Sequence, residues 1–252
     1  MALDSTLRFS SRVDDYVKYR PGYPSEAIDL LRDRCDLLPQ AKVADLGSGT
    51  GILTALLLDA GAEVFAVEPN SGMRAAAQRL LGARRGFVSV AGTAEATTLD
   101  AHSVRLVVSG QAFHWFDPGR ARSEALRILR QGGWAALIWN EAPEEPTPFL
   151  ADYDELLRRH APEYETVRSL RAREEGIREF FGAAPGRAVF ANRQIFDFEG
   201  LKGRLMSSSY APEPGNPQHE PMMAGLRQLF EHHQRNGEVL FPYRTLVFFG
   251  QP

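Results

Sequence analysis

The stretch VADLGSGTGILT, Val43–Thr54, sets three glycines at alternate positions, Gly47, Gly49 and Gly51, just after an acidic residue, Asp45. Glycine admits positive φ and lets a backbone come close to a ligand. The N–H groups that open the following helix, ILTALLLDAG, point to the same place. A dinucleotide fingerprint needs Gly-x-Gly-x-x-Gly/Ala. Counted from Gly47 its last position falls on Ile52, and counted from Gly49 on Thr54, so the spacing fails in both registers. A carboxylate at Asp45 would repel a pyrophosphate and suits a cationic amino group. A second acid, Glu68, closes the run AEVFAVEP. At the end of a second strand it is placed to accept hydrogen bonds from ribose hydroxyls. The ligand so described has a ribose and a positive charge and needs no phosphate. Each acid also has a plainer role, Asp45 as a helix cap and Glu68 as the start of a turn with Pro69 and Asn70. Their joint placement at two successive strand ends favours the ligand.

The elements that would position these residues alternate regularly. AKVADLG, AEVFAVEP, FVSVAG, VRLVVSG and GWAALIWN read as strands. Between them ILTALLLDAG, SGMRAAAQRLLG (closed by Gly82) and GRARSEALRILRQGG read as helices. VRLVVSG is continuously apolar, as a parallel strand covered on both faces should be. This rhythm predicts a doubly wound α/β sheet with right-handed crossovers, with ligands beyond the carboxyl ends of the strands. Before it, a helix is expected over Arg12–Tyr19, and another from Ser25 as N-cap until Pro39 stops it. After Asn140 the rhythm breaks. Residues 149–182 read as helices without partner strands, and RAVFANRQIFDF and EVLFPYRTLVFFG return as β segments.

VADLGSGTG followed by AVEPN closely resembles the class I S-adenosylmethionine-dependent methyltransferases. FVSVAGTAEATTL is similar to that family's adenine-holding motif, and VRLVVSGQAFHWFD to the motif after it. The opening FSSRVDDYVKYRPGYP and the AFHWF segment resemble the small-molecule branch that includes trans-aconitate and ubiquinone-biosynthesis-type methyltransferases. The resemblance implies an α/β, Rossmann-like, seven-stranded and mostly parallel sheet with an antiparallel C-terminal strand and a helical cap. The chain is then expected to divide into a lid (1–24), a cofactor-binding core (25–140), a cap insertion (141–185) where the strand–helix rhythm breaks, and the rest of the core sheet (186–252).

Carried over by position, the resemblance implies S-adenosylmethionine as cofactor. Gly47, Gly49 and Gly51, with Ser48 in the same turn, would approach its methionine part and ribose. Asp45 would support the turn and the amino group. Glu68, beside Pro69, would bind the ribose hydroxyls, and Thr93, Ala94 and Glu95 would sit beside the adenine. The family often has aspartate where Thr93 stands, which leaves Glu95 or a backbone carbonyl to meet the adenine amino group. Gln111 would contact the methionine end. Tyr19 and Arg20 are expected in the lid, Arg20 facing the cofactor's carboxylate. Tyr16, His114, Trp115 and Tyr210 are the expected acceptor-side residues. His114 is the candidate general base, since its unperturbed pKa lies near neutrality; orienting a turn is its alternative role. Trp115 and Phe116 could wall the pocket or fill the core. The same aromatics of the opening segment could simply pack its helix on the sheet.

The 252 residues, 44% hydrophobic and 24% charged, suit one globular domain with room for an inserted subdomain. A single cysteine, Cys35, can form no bridge within the chain and reads as a packed thiol. A net charge of −3 describes no nucleic-acid-binding surface. MALDSTLRFSSR has no apolar signal core, and no apolar run spans a membrane, so a cytoplasmic protein without membrane contact is expected. His219, His232 and His233 have no metal-binding spacing, and no metal is expected. The expected activity is methyl transfer to a small molecule. A nicotinamide-dependent oxidoreductase and a non-catalytic cofactor-binding partner are the alternatives. The arginines of the cap, Arg158, Arg159, Arg168, Arg171 and Arg173, would suit an acceptor with carboxylates, or are simply solvated helix faces.

Overall fold

Alternation between buried faces organises the molecule, whose computed structural model describes residues 13–170 and 174–252. The first half of the expected lid and the arginines Arg171 and Arg173 fall outside the described residues. The strands are β1 (Lys42–Leu46), β2 (Glu63–Val67), β3 (Phe87–Val90), β4 (Val104–Gly110), β5 (Leu129–Glu141), β6 (Gly186–Phe196) and β7 (Val239–Gly250). They form one 7-stranded sheet in the order β3-β2-β1-β4-β5-β7-β6. β1 to β5 pair in parallel, and β7 runs antiparallel to both β5 and β6. The strand order reverses between β1 and β4, where a ligand crevice is expected.

Side chains alternate across each strand, so the sheet feeds two cores. On one face Val43, Val64, Leu106 and Ala136 meet Leu31 of α2 (Ser25–Arg34) and Leu53 and Leu57 of α3 (Ile52–Asp59). On the other, Ala44, Val107, Ala135 and Trp139 meet α5 (Pro118–Ile128) and α8 (Glu174–Phe181); α4 (Ser71–Leu81) joins β2 to β3. Burial of Phe180 and Ile177 against Ala121 and Ala125 sets α8 in the core layer, although it lies within the range expected for the cap.

A third cluster stands at the carboxyl edge of the sheet. It joins α6 (Pro148–His160), α9 (Phe198–Met206) and α10 (His219–His233) to Phe196, Phe241 and Tyr243 at the ends of β6 and β7. The layer over the strand ends therefore draws on both sides of β6. α7 (Tyr164–Leu170) extends it, and α1 (Val13–Tyr19) lies against α9 and α4.

Two local expectations are corrected. Ser25 is the first helical residue of α2 rather than its cap; Pro24 holds the cap position with no side-chain bond. α2 ends at Arg34, because Asp36 takes a left-handed φ of 54° and turns the chain before Pro39. Side-chain caps do open α4, where Asn70 accepts from the Met73 N–H at 2.9 Å, and α5, where Asp117 accepts from the Arg120 N–H at 2.9 Å. Among the described residues no helix is long and apolar enough to cross a membrane.

Candidate active site

Two cavities open at the carboxyl ends of β1, β2 and β4, and they share Tyr16, Gly47, Gly110 and Gln111. The smaller, about 90 Å³, reaches Gly49, Glu68 and Pro69 and is walled by Trp115 and Phe116. The larger, about 520 Å³, includes Asp45 and Ser48 and extends under α6 and α9.

The turn after β1 is built by its glycines, each for a different reason. Gly47 has a φ of +67°, and a Cβ there would stand 2.5 Å from Ala112 Cβ. Gly51 has a φ of +89° at the N-cap of α3, and its Cβ would meet Leu81 at 2.5 Å. Gly49, with a φ of +58°, faces open space. Gly47 and Gly49 border the cavities, whereas Gly51 serves the packing of α3 against α4.

The two acids lie where the pattern places them. Glu68, 8% exposed, accepts the Gly49 N–H on Oε2 at 3.0 Å and the Asn70 N–H on Oε1 at 2.8 Å. Burial raises its pKa, and those two N–H groups and Arg74 oppose the rise. Asp45 is fully buried and takes the Thr54 hydroxyl on Oδ2 at 2.6 Å. Burial pushes its pKa up to about 7 against the Thr54 hydrogen bond, and the Glu68 charge adds to the rise. Asp45 Oδ1 and Ser48 Oγ are buried without a hydrogen-bond partner. An acceptor and a hydroxyl left open at a glycine turn fit a polar, cationic ligand lying along it.

Gln111 follows β4 with a left-handed φ of 59°, a conformation costly for a residue with a side chain and often found at functional sites. Its Nε2 donates to the Asn140 carbonyl at 3.0 Å. Asn140, at the end of β5, is a junction that sequence reasoning missed. Its Nδ2 donates to the Gly22 carbonyl at 3.0 Å, and its Oδ1 accepts from Thr245 at 2.6 Å and from Asn192 at 3.1 Å. It thereby ties the opening segment to strands β5, β6 and β7 beside the larger cavity.

Several expected residues stand elsewhere. Tyr19 lines neither cavity; it packs on α9, where a Cβ at Gly203 would lie 2.0 Å from its ring. His114 lies in a short 3₁₀ turn (Phe113–Trp115), its ring 4.8 Å from that of Trp115, and is absent from both cavity walls. Thr93, Ala94 and Glu95 form a turn closed by the Thr93 N–H on the Ala96 carbonyl at 3.1 Å and also lie outside the walls. Ala94 points into the core, and Glu95 accepts the Asp117 N–H at 3.0 Å. That loop is held by Glu124, whose Oε1 takes the Thr97 N–H at 2.8 Å and the Thr97 hydroxyl at 2.5 Å. Hydrogen bonds from Arg127 above all, and then from Thr97, hold the Glu124 carboxyl down at about 2. Arg20, Tyr16 and Tyr210 do border the larger cavity, and Arg20 donates to the Ser207 carbonyl at 2.7 Å.

The histidines are engaged separately. His219 contacts the Pro212 carbonyl at 2.9 Å and His233 contacts Asp152 at 2.7 Å. Among the described residues no group of three or more His, Cys, Asp or Glu could hold a metal ion.

Comparison with known proteins places the glycine turn of this site in the part of the chain that resembles known sequences. Residues 44–137, from β1 to β5, match the family described as methyltransferase domain. Over this stretch the chain resembles a methyltransferase domain. An uncharacterized methyltransferase of Mycobacterium tuberculosis is 45% identical over 143 residues, 56% of this chain and 55% of that one. An uncharacterized methyltransferase of Schizosaccharomyces pombe is 32% identical over 155 residues, 60% of this chain and 59% of that one. The matched part thus spans little more than half the length of these relatives. The fold extends further than the sequence match. The solved structure of a candidate type II methyltransferase from Anaeromyxobacter dehalogenans superposes over 92% of this chain and 98% of that one, with a TM-score of 0.64 at 20% identity. A candidate methyltransferase of an antibiotic pathway from Anabaena variabilis covers 92% of this chain and 99% of that one, with a TM-score of 0.61 at 21% identity. The matched stretch carries the glycine turn, Glu68 and Gln111; the helices over the larger cavity lie beyond it.

Proposed function

We propose that the chain transfers a methyl group from S-adenosylmethionine to a small-molecule acceptor. The observation that carries this reading is the meeting of the two cavities at Gly47 and Gln111. The smaller one, bounded by Glu68, suits the adenosine side, and Glu68 keeps lone pairs for ribose hydroxyls beyond the two N–H groups it holds. The larger one suits the methionine end and the acceptor together, with Asp45 and Ser48 toward the amino group and Arg20 toward the carboxylate. When bound, the cofactor supplies an activated methyl group for in-line attack by the acceptor. The chain's own residues bind, align and exclude water, and alignment alone contributes about 7–11 kcal/mol in favourable cases. Trp115 and Phe116 wall the site, and Asn140 holds Gln111 and the Gly22 segment together over it. His114 stands apart from the cavities, so a general base drawn from it is not required by this reading. An open cavity beside Gln111 favours an enzyme over a non-catalytic cofactor-binding partner.

Thermal unfolding with S-adenosylhomocysteine, and separately with NAD, tests the proposal. A ligand at about 100 times its dissociation constant stabilises by roughly 2.7 kcal/mol, a rise in the midpoint of roughly 5–10 °C for a chain of this size. A rise with S-adenosylhomocysteine alone is expected. A rise with NAD alone overturns the reading.

A further inference from the structure

The larger cavity contains a buried cation that no carboxylate among the described residues neutralises. Arg204, on α9, is 8% exposed and lines the cavity. Its Nε donates to the Tyr243 hydroxyl at 3.0 Å and its Nη1 to the Ser208 hydroxyl at 3.1 Å. Both partners are neutral, and among the described residues no ion pair and no acceptor for Nη2 accompanies them. The cap arginines differ: Arg158 pairs with Asp154 at 2.8 Å and Glu165 at 3.2 Å, and Arg168 with Asp154 at 3.2 Å.

A second unsatisfied donor borders the same cavity. The Tyr153 hydroxyl, on α6, is buried without a hydrogen-bond partner. Burial above all, and then Tyr210, raises the Tyr153 pKa above its ordinary value, so the group stays a neutral O–H donor. Tyr153 and Arg204 meet on one ring: Tyr153 stands edge-on to Phe241 at 5.2 Å, and the Arg204 guanidinium lies 5.5 Å from the Phe241 centroid. Around them Leu150, Leu157 and Phe241 are apolar. An unneutralised buried charge and an orphaned buried hydroxyl are each costly. A ligand that relieves both accepts hydrogen bonds only, carries a negative charge and has an apolar body.

We propose that the acceptor is a small organic carboxylate, anchored by its carboxylate on Arg204 and Tyr153. One buried guanidinium balances one negative charge, that of a carboxylate, and a planar carboxylate matches its donor geometry. The inference rests on reading the larger cavity as the acceptor's, and it places the anchor on residues outside the matched methyltransferase domain.

The test uses phenylacetate and hexanoate, each against its amide, with the wild-type chain and Arg204→Met, read by thermal unfolding and calorimetry without cofactor. The carboxylates are expected to raise the wild-type midpoint and the amides not to. In Arg204→Met the response should disappear, while the affinity for S-adenosylhomocysteine stays within about twofold. Tyr153→Phe, which keeps the packing, should bind the carboxylates about tenfold more weakly; it serves if Arg204→Met does not fold. The proposal is overturned by equal responses to acids and amides, by no response to either acid, or by a response that survives both substitutions. Loss of S-adenosylhomocysteine binding in Arg204→Met also overturns it, since Arg204 would then hold the cofactor's carboxylate. Carboxylate binding by a wild-type chain that ignores S-adenosylhomocysteine would instead sink methyl transfer and leave the anion site standing.

Discussion

Asp45 takes the Thr54 hydroxyl on Oδ2 at 2.6 Å, while its buried Oδ1 meets no donor. Half of this carboxyl is thus spent on holding α3 to β1, and half is left for what lies along the glycine turn. With its pKa pushed up to about 7, the folded chain keeps a proton on Asp45 that the unfolded chain releases near its ordinary 3.8. Between those values the folded state binds more protons, so this group's contribution to stability falls as pH rises from about 4 to about 7. Asp45→Asn removes that slope. A cationic amino group prefers the ionised form, so wild-type affinity for S-adenosylhomocysteine should rise between about pH 6 and about pH 8. The variant should bind more weakly and show no rise. Calorimetry at several pH values decides it; a flat wild-type profile would remove Asp45 from the amino group.

Gly47 and Gly49 should fail in different ways when each is changed to alanine. Both lose the ease of a left-handed φ, a cost of about 1–2 kcal/mol. At Gly47 the new Cβ also collides with Ala112 at 2.5 Å and crowds Phe116 at 3.3 Å, so Gly47→Ala should lower the unfolding midpoint further. At Gly49 the methyl enters open space at the smaller cavity, so Gly49→Ala should stay closer to wild type in stability and lose more cofactor affinity. Equal midpoints for the two variants would contradict this assignment.

These positions were legible from sequence because local chemistry defines them. A strand, an acid and three alternate glycines lie within a dozen residues, and the alternation of strands and helices places both acids at adjacent strand ends. Arg204 was not legible: in LKGRLM it looks like any solvated helix arginine, and the rings that pack against it, Tyr243 and Phe241, come 37 or more residues later in the sequence. Asn140 gave no signal either, since its partners are Gly22, Asn192 and Thr245. Tyr19 and Tyr16 sit in one short aromatic segment, yet the turn of α1 sends Tyr16 to the cavities and Tyr19 to Gly203. Spacing showed that this segment matters, but the partner helix decided which tyrosine faces the ligand.

Glu124→Gln probes the loop between β3 and β4. The low pKa, about 2, reflects hydrogen bonds from Arg127 and Thr97 that favour the ionised form. That stabilisation is present above the ordinary carboxylate value and is lost as pH falls through the window down to about 2. The amide keeps one acceptor but loses the charge, and should destabilise the chain by about 1–3 kcal/mol at neutral pH. The wild-type and variant midpoints should converge as pH falls toward about 2. If this loop also borders the adenine, affinity for adenosine itself drops in the variant, and an unchanged affinity would leave Glu124 a purely structural residue.

Arg20 is the side chain whose role the opening segment makes most testable. Its guanidinium lies 4.9 Å from the Tyr16 ring centroid and donates to the Ser207 carbonyl at 2.7 Å, so it is held at the wall of the larger cavity from two sides. A guanidinium held this way can take a carboxylate without reordering its own stem, which is the cost that weakens exposed ion pairs. Arg20→Ala should weaken S-adenosylhomocysteine by about 10- to 100-fold, the loss of one charge-assisted contact. Methylthioadenosine shares the adenosine and the sulfur but has no carboxylate, and its affinity should hardly change. If both ligands weaken alike, Arg20 acts by closing the Gly22 segment over the site. If neither weakens, the cofactor's carboxylate lies elsewhere in the cavity.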